Sequence, residues 1–200
     1  ALTRARGVAG DVEGIGNQFM EIAHAFCYKQ PLTPEEIAEI VHTRQRKEAQ
    51  VTRKTKSRRR RSGRTQKPAA NVKSGYGGLI DIEFAAQTLQ LIHGPETTSV
   101  RVPNTLLAIE RLHTIGVLTE TQRAGLSEAY QYLRRVENAL RIVHDRALDA
   151  LPTNRAELAQ LARRLGYAET EDTSIVEAFS QDYGKWTEKT RALFNEILVN

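Results

Sequence analysis

The residues best suited to chemistry lie in one stretch, "VKSGYGGLIDIEFAAQTLQLIHG", Val72 to Gly94. It reads as a glycine-rich turn opening a buried helix, with two acids in the first turns. Gly75, Gly77 and Gly78 permit positive φ or close backbone approach. Amides at a helix start attract anions, and Lys73 adds a positive charge beside them. Asp81 and Glu83 suit a helix N-terminus electrostatically. At roughly 100° per residue they point about 200° apart, so a regular helix cannot aim both into one pocket. Glu83, Gln87 and Gln90 share a face and draw a polar stripe on an otherwise apolar helix. The bland reading is a helix cap plus one solvated face. The GxxxxGK[ST] order of a P-loop is absent, and no strand precedes the glycines as a dinucleotide fingerprint requires.

A second chemical feature is the basic run from Arg44 to Lys67. It holds 12 Lys and Arg against one acid, Glu48, while the rest of the chain has 17 basic and 23 acidic residues. The net charge of +5 is therefore local, on a mildly acidic body. Three readings stand: a solvated, partly flexible extension; a surface that attracts nucleotide phosphates or an acidic protein; or a nucleic-acid or membrane-phosphate binder. No Phe, Tyr or Trp interrupts the run, which removes the stacking platform of a single-strand binder and argues against nucleic acid.

Other polar residues offer less. The five histidines show no HExxH or other close ligand spacing, so no metal site is expected. Cys27 is the only cysteine, which excludes an intrachain disulfide. It falls in an apolar stretch with Phe19, Ile22 and Phe26 and reads as core filler. Arg134, Arg135 and Glu137 read as solvated neighbours or interhelical ion pairs. Arg4, Arg6 and Asp11 read either as surface ion pairs or as part of a functional face.

The elements that must position these residues are helices. A chain of 200 residues, 40% hydrophobic, can bury one ordinary core. No segment approaches the roughly 20 apolar residues of a membrane span, and Ala1 to Gly10 lack the apolar core of a signal peptide. With a single cysteine, the composition suits a reducing cytoplasm. The missing initial Met suggests a piece of something longer.

Apolar residues recur at helical spacing almost throughout. A first helix is expected over Val12 to Lys29, closed by Pro31. Thr33, Pro34 and Glu36 start a second, whose apolar face, Ile37, Ile40 and Val41, fades after Arg44. It should project into solvent and fray before Gly63, with a loop from Ser62 to Ser74. The third helix, after Gly78, is apolar nearly all round and belongs in the middle. A fourth runs from Pro103 to Gly116, with Leu106, Leu107, Ile109 and Leu112 inward. Thr119 and Gln122 cap a long fifth, Asn154 and Glu157 start a sixth, and the last covers about Asp172 to Leu198. The expected fold is all-α: an antiparallel bundle of six or seven helices in one domain, 1–200. Its parts are first helices in 1–43, a basic arm and loop in 44–74, and a main bundle in 75–200.

"GGLIDIEF", Gly77 to Phe84, resembles the GGI-x-(D/E)-IEF signature of the glutamine-synthetase adenylyltransferases. "ALTRARGVAGD", Ala1 to Asp11, resembles the segment that leaves that family's nucleotidyltransferase core. "NTLLAIERLHTIGVL", "AYQYLRRVENALR" and "LPTNRAELAQLARRLGY" resemble its helical bundle, in order and at matching spacing. The chain departs from many first-unit members in carrying Ile80 where they carry Arg.

The resemblance implies a duplicated enzyme in which a catalytic core precedes each helical bundle. One unit attaches AMP to glutamine synthetase, the other removes it, and PII signal proteins and glutamine tune the balance. ATP and Mg²⁺ belong to the core, whose metal-binding aspartates have no counterpart motif here. The expected role is thus a helical domain packing on a nucleotidyltransferase core, with Lys73, Gly75, Gly77, Gly78, Asp81 and Glu83 facing nucleotide or core and no catalytic residue of its own. A non-catalytic module that uses the basic arm to bind an acidic protein or nucleic acid is the alternative.

Overall fold

A computed structural model describes residues 2–62, 70–144 and 149–199. Seven helices occupy them: α1 Asn17–Cys27, α2 Pro34–Ser62, α3 Leu79–His93, α4 Thr105–Thr114, α5 Glu120–His144, α6 Arg155–Arg164 and α7 Ile175–Leu198. No strand occurs among the described residues; the one bridge pairs Asn71 with Ala150. The fold is the expected all-α antiparallel bundle.

The helices start where local chemistry satisfies their free amides. Thr33 and Glu36 exchange backbone and side-chain hydrogen bonds at the head of α2. Thr119 and Gln122 do so before α5, and the Asn104 and Asn154 side chains cap α4 and α6. Ser174 and Glu177 form a capping box that sets the start of α7 at Ile175, three residues later than the apolar spacing suggests. The chain enters α1 through a widened turn, Val12–Gly16, whose first amides are capped by Asp11.

The main core lies between α3, α4, α5, α6 and α7. Leu79, Ile82, Ile109, Leu112, Leu126, Leu133, Val136, Leu140, Leu161 and Phe179 are almost wholly buried in it. Burying each such side chain is worth about 1.5–3 kcal/mol. α3 packs against α2, α4, α5 and α7, as its apolar circumference requires. Leu107 instead faces outward, and Thr105 and Ala108 take the inner face of α4.

Two expectations change at the N-terminal side. Phe19, Ile22 and Phe26 are exposed rather than in the core, because α1 rests on the flanking short turns and only Ala23 within it is buried. α2 buries Arg44 fully where its apolar face fades; beyond it most side chains from Gln45 to Arg53 are exposed, as expected, while the backbone stays helical to Ser62. The rest of the expected loop, with Arg64 and Lys67, lies outside the described residues.

Candidate functional site

Asn71 organises the glycine turn. Its side-chain oxygen accepts from the amides of Lys73 (3.1 Å) and Ser74 (2.7 Å) and from the Ser74 hydroxyl (3.0 Å). An Asn two residues before Lys-Ser-Gly is the sequence signal for such a turn. The turn then feeds α3 through internal backbone bonds. Gly75 N–H donates to Asn71 O, Gly78 N–H to Gly75 O, Leu79 N–H to Val72 O, Ile80 N–H to Lys73 O and Asp81 N–H to Gly78 O. These amides are committed within the fold. Gly77 has φ +60°, and a Cβ there would collide with the Thr187 carbonyl of α7. The glycines thus let α3 start hard against the α7 backbone.

Asp81 and Glu83 point to different neighbourhoods, as their spacing demands. Asp81 is fully buried and bonds the Arg44 guanidinium. Its other oxygen lies 3.0 Å from Arg191 of α7. Arg44 also donates to Gly75 O at 2.7 Å and sits 3.4 Å from Glu48, which pairs with Arg191. Two cations and two acids thereby join α2, the glycine turn, α3 and α7. Burial pushes the Asp81 carboxyl above its ordinary value, against the pull of Arg44 and Arg191. Nothing in the sequence distinguishes Arg44 from the eleven other cations of its run.

Glu83 heads an alternating row on the other side of α3. Arg4 Nη1 meets one of its oxygens at 3.0 Å and Arg134 Nη2 the other at 3.0 Å. Arg134 Nη1 continues to Glu137 at 2.6 Å, and Arg141 Nη2 closes the row on Glu137 at 2.8 Å. Thr3 donates to Gln87 at 3.2 Å, so the N-terminal turn lies along the α3 stripe. Gln90 does not face solvent: it is buried and donates to Val100 O (2.6 Å) and Val102 O (2.8 Å). Arg4 pairs with Glu83 rather than Asp11, which is occupied in capping.

Among the described residues, exposed apolar side chains gather on α1 and the turn before it. Val12, Ile15, Phe19, Ile22 and Phe26 are 40, 71, 49, 70 and 77% exposed. Their 3-4-3-4 spacing puts them in one row. Beside the row, Leu2, Phe26, Cys27, Leu32 and Leu91 line a groove of about 600 Å³. Cys27 is half-buried, and burial raises its thiol pKa. A second depression of about 490 Å³ lies between α5, the end of α6 and α7, with Tyr132, Tyr167, Asp182 and Trp186 in its lining. Among the described residues no group of three His, Cys, Asp or Glu side chains could hold a metal ion, and no helix is long and apolar enough to cross a membrane.

A family model described as GlnD PII-uridylyltransferase matches residues 44–198. The chain belongs to that family, in the group of the glutamine-synthetase adenylyltransferases. A "bifunctional glutamine synthetase adenylyltransferase/adenylyl-removing enzyme" of Streptomyces avermitilis is 34% identical over 197 residues, 98% of this chain and 18% of the relative. Enzymes with the same name from Streptomyces coelicolor (36% over 168 residues, 84% of this chain, 16% of the relative) and Burkholderia mallei (37% over 157 residues, 78% and 16%) are also similar. The chain thus spans less than a fifth of these relatives' length.

Proposed function

We propose that this chain is the helical domain of a bifunctional glutamine-synthetase adenylyltransferase/adenylyl-removing enzyme, seated through α1 on a nucleotidyltransferase core. The observation that carries this reading is the exposed row Val12, Ile15, Phe19, Ile22 and Phe26. Each such side chain gains about 1.5–3 kcal/mol when fully buried, and a row of five is the signature of a missing partner surface. The row begins at Val12, a short segment after Arg4 and Thr3, which lie against Glu83 and Gln87. The apolar row and the Glu83 face are thereby linked by one short segment.

In this reading the core carries ATP, Mg²⁺ and the chemistry at phosphorus. The helical domain supplies no nucleophile. Glu83 and Lys73 keep a surface part and turn toward the core and its nucleotide. Gly75, Gly77, Gly78 and Asp81 act by fixing the start of α3, which places Glu83 where it holds Arg4 and Arg134. Glutamine synthetase is the substrate and a PII protein the regulator of the whole enzyme, which works in the cytoplasm.

The test replaces the matching segment of the Streptomyces avermitilis enzyme with this chain, native or carrying Ile22→Asp and Phe26→Asp. The native chimera should add AMP to glutamine synthetase or remove it. The double variant should do so about tenfold or more slowly, since each Asp sets a charge in an apolar contact, while the isolated variant chain keeps its unfolding midpoint. Equal activity of the two chimeras would contradict the proposal.

A further inference from the structure

The cavity between α5, the end of α6 and α7 takes no residue from α1 or from the ionic networks of α3. Its walls follow from helix spacing. Glu128, Tyr132 and Arg135 on α5 stand at i, i+4 and i+7, as do Asp182, Trp186 and Lys189 on α7, so each trio forms one stripe. The two helices run antiparallel and the stripes meet in pairs. Lys189 lies 3.2 Å from Glu128, and the Trp186 ring stacks on Tyr132 with centroids 5.6 Å apart. Beyond that stack, Arg135 lies roughly 4.5 Å further along α5 and Asp182 roughly 6 Å further along α7, in the same direction. Both therefore stand at one end of a cavity of about 490 Å³.

That end carries opposite charges that do not pair with each other. Gly166, with φ +92°, turns the chain after α6 and delivers Tyr167 to α7. The Tyr167 hydroxyl donates to Asp182 at 2.9 Å; with its one proton committed, it accepts from the Tyr132 hydroxyl at 3.3 Å. Burial pushes both phenols above their ordinary pKa, so they stay protonated at neutral pH. Arg135 is anchored by one nitrogen on the Leu165 carbonyl at 3.2 Å. Among the described residues neither Arg135 nor Asp182 joins an ion pair, although both line the cavity. Arg135 keeps most of its donors, and Asp182 keeps one whole oxygen.

Two anchored, unpaired opposite charges beside an aromatic wall select among ligands. A simple anion meets Arg135 but is repelled by Asp182; a simple cation meets the reverse. A ligand with both signs on neighbouring groups and an apolar remainder satisfies all three features. We propose that this cavity binds a free α-amino acid with an aromatic or apolar side chain. Its carboxylate meets the Arg135 guanidinium, its ammonium group meets Asp182, and its side chain lies against Tyr132 and Trp186. Tyr167 is a positioning residue that holds the Asp182 carboxylate.

Trp186 is the only tryptophan of the chain, so its indole N–H resonance reports on the cavity directly. Titration with L-phenylalanine should shift that resonance with a Kd of about 0.1–1 mM. L-phenylalaninamide, which stands for a peptide N-terminus, lacks the carboxylate; N-acetyl-L-phenylalanine, which stands for a C-terminus, lacks the ammonium group. Each should bind about tenfold or more weakly. Arg135→Gln and Asp182→Asn alter exposed side chains and should leave the unfolding midpoint in place. Each should weaken L-phenylalanine about tenfold or more. Arg135→Gln should not weaken the amide, and Asp182→Asn should not weaken the N-acetyl compound, whereas damage to the fold would weaken both. No shift with L-phenylalanine, equal binding of either analogue, or unchanged binding in both variants would each overturn the proposal. The titration uses neither a core nor α1, so its outcome is separate from that of the Ile22/Phe26 chimera.

Discussion

Replacing Arg44 with Met separates a core residue from the basic run that hides it. The side chain is fully buried, bonds Asp81, donates to Gly75 O and lies beside Glu48. Met fills comparable volume, so little cavity cost arises. What remains is a buried Asp81 with Arg191 alone and a turn carbonyl, Gly75 O, that keeps only the Gly78 amide. Removing one partner of a buried ion pair costs about 3–5 kcal/mol. For a chain of this size that is roughly a 6–20 °C fall in Tm. Arg46, two residues on, is exposed and makes only a 3.4 Å contact to Thr43; Arg46→Met should stay within about 0.5 kcal/mol. Urea unfolding followed by helical circular dichroism measures both. A companion, Arg44→Met with Asp81→Leu, should recover much of the loss by removing both charges. If Arg44→Met is as mild as Arg46→Met, the buried network has been misread.

Gly77→Ala should cost more than about 1 kcal/mol, read as a lower urea midpoint, because φ is positive and the methyl meets the Thr187 carbonyl. Gln90→Leu strands the Val102 carbonyl, leaves the Val100 carbonyl with the Val102 amide alone, and should cost about 1–3 kcal/mol in the same assay. The Glu177 carboxyl is held below its ordinary value, first by the Ser174 hydroxyl and then by the Ser174 amide. Its folded pKa is depressed, so its stabilisation is present above about pH 4.5 and is lost as pH falls through the folded value. Unfolding free energies of native and Glu177→Ala chains should therefore differ at pH 7 and converge toward pH 3, as a thermal-melt series would record.

Helix positions were legible because apolar spacing and caps agree at nearly every start: Thr33 with Glu36, Thr119 with Gln122, and Asn154 all cap as their types suggest. The Asp81–Glu83 divergence followed from helix geometry alone. The fate of Arg44 did not, since burial of a cation depends on an acid 37 positions away in another helix. Phe19, Ile22 and Phe26 misled for the opposite reason. An apolar stripe says that a face wants burial, not that this chain buries it. The Arg4–Glu83–Arg134–Glu137–Arg141 row joins three segments distant in sequence, and only "RRVENALR" on α5, with its i, i+3 and i, i+4 spacings, gave a local hint. Gln90 looked solvated because its acceptors, Val100 and Val102, lie in a loop without periodicity.

The central claim is that α1 is half of an interface. Hydrogen–deuterium exchange of residues 12–27 tests it most directly, compared between this chain alone and the same chain set into the Streptomyces avermitilis enzyme. If α1 seats on a nucleotidyltransferase core, its amides should exchange about tenfold or more slowly in the chimera, the equivalent of about 1.4 kcal/mol of added protection. Exchange at the same rate in both would contradict the account.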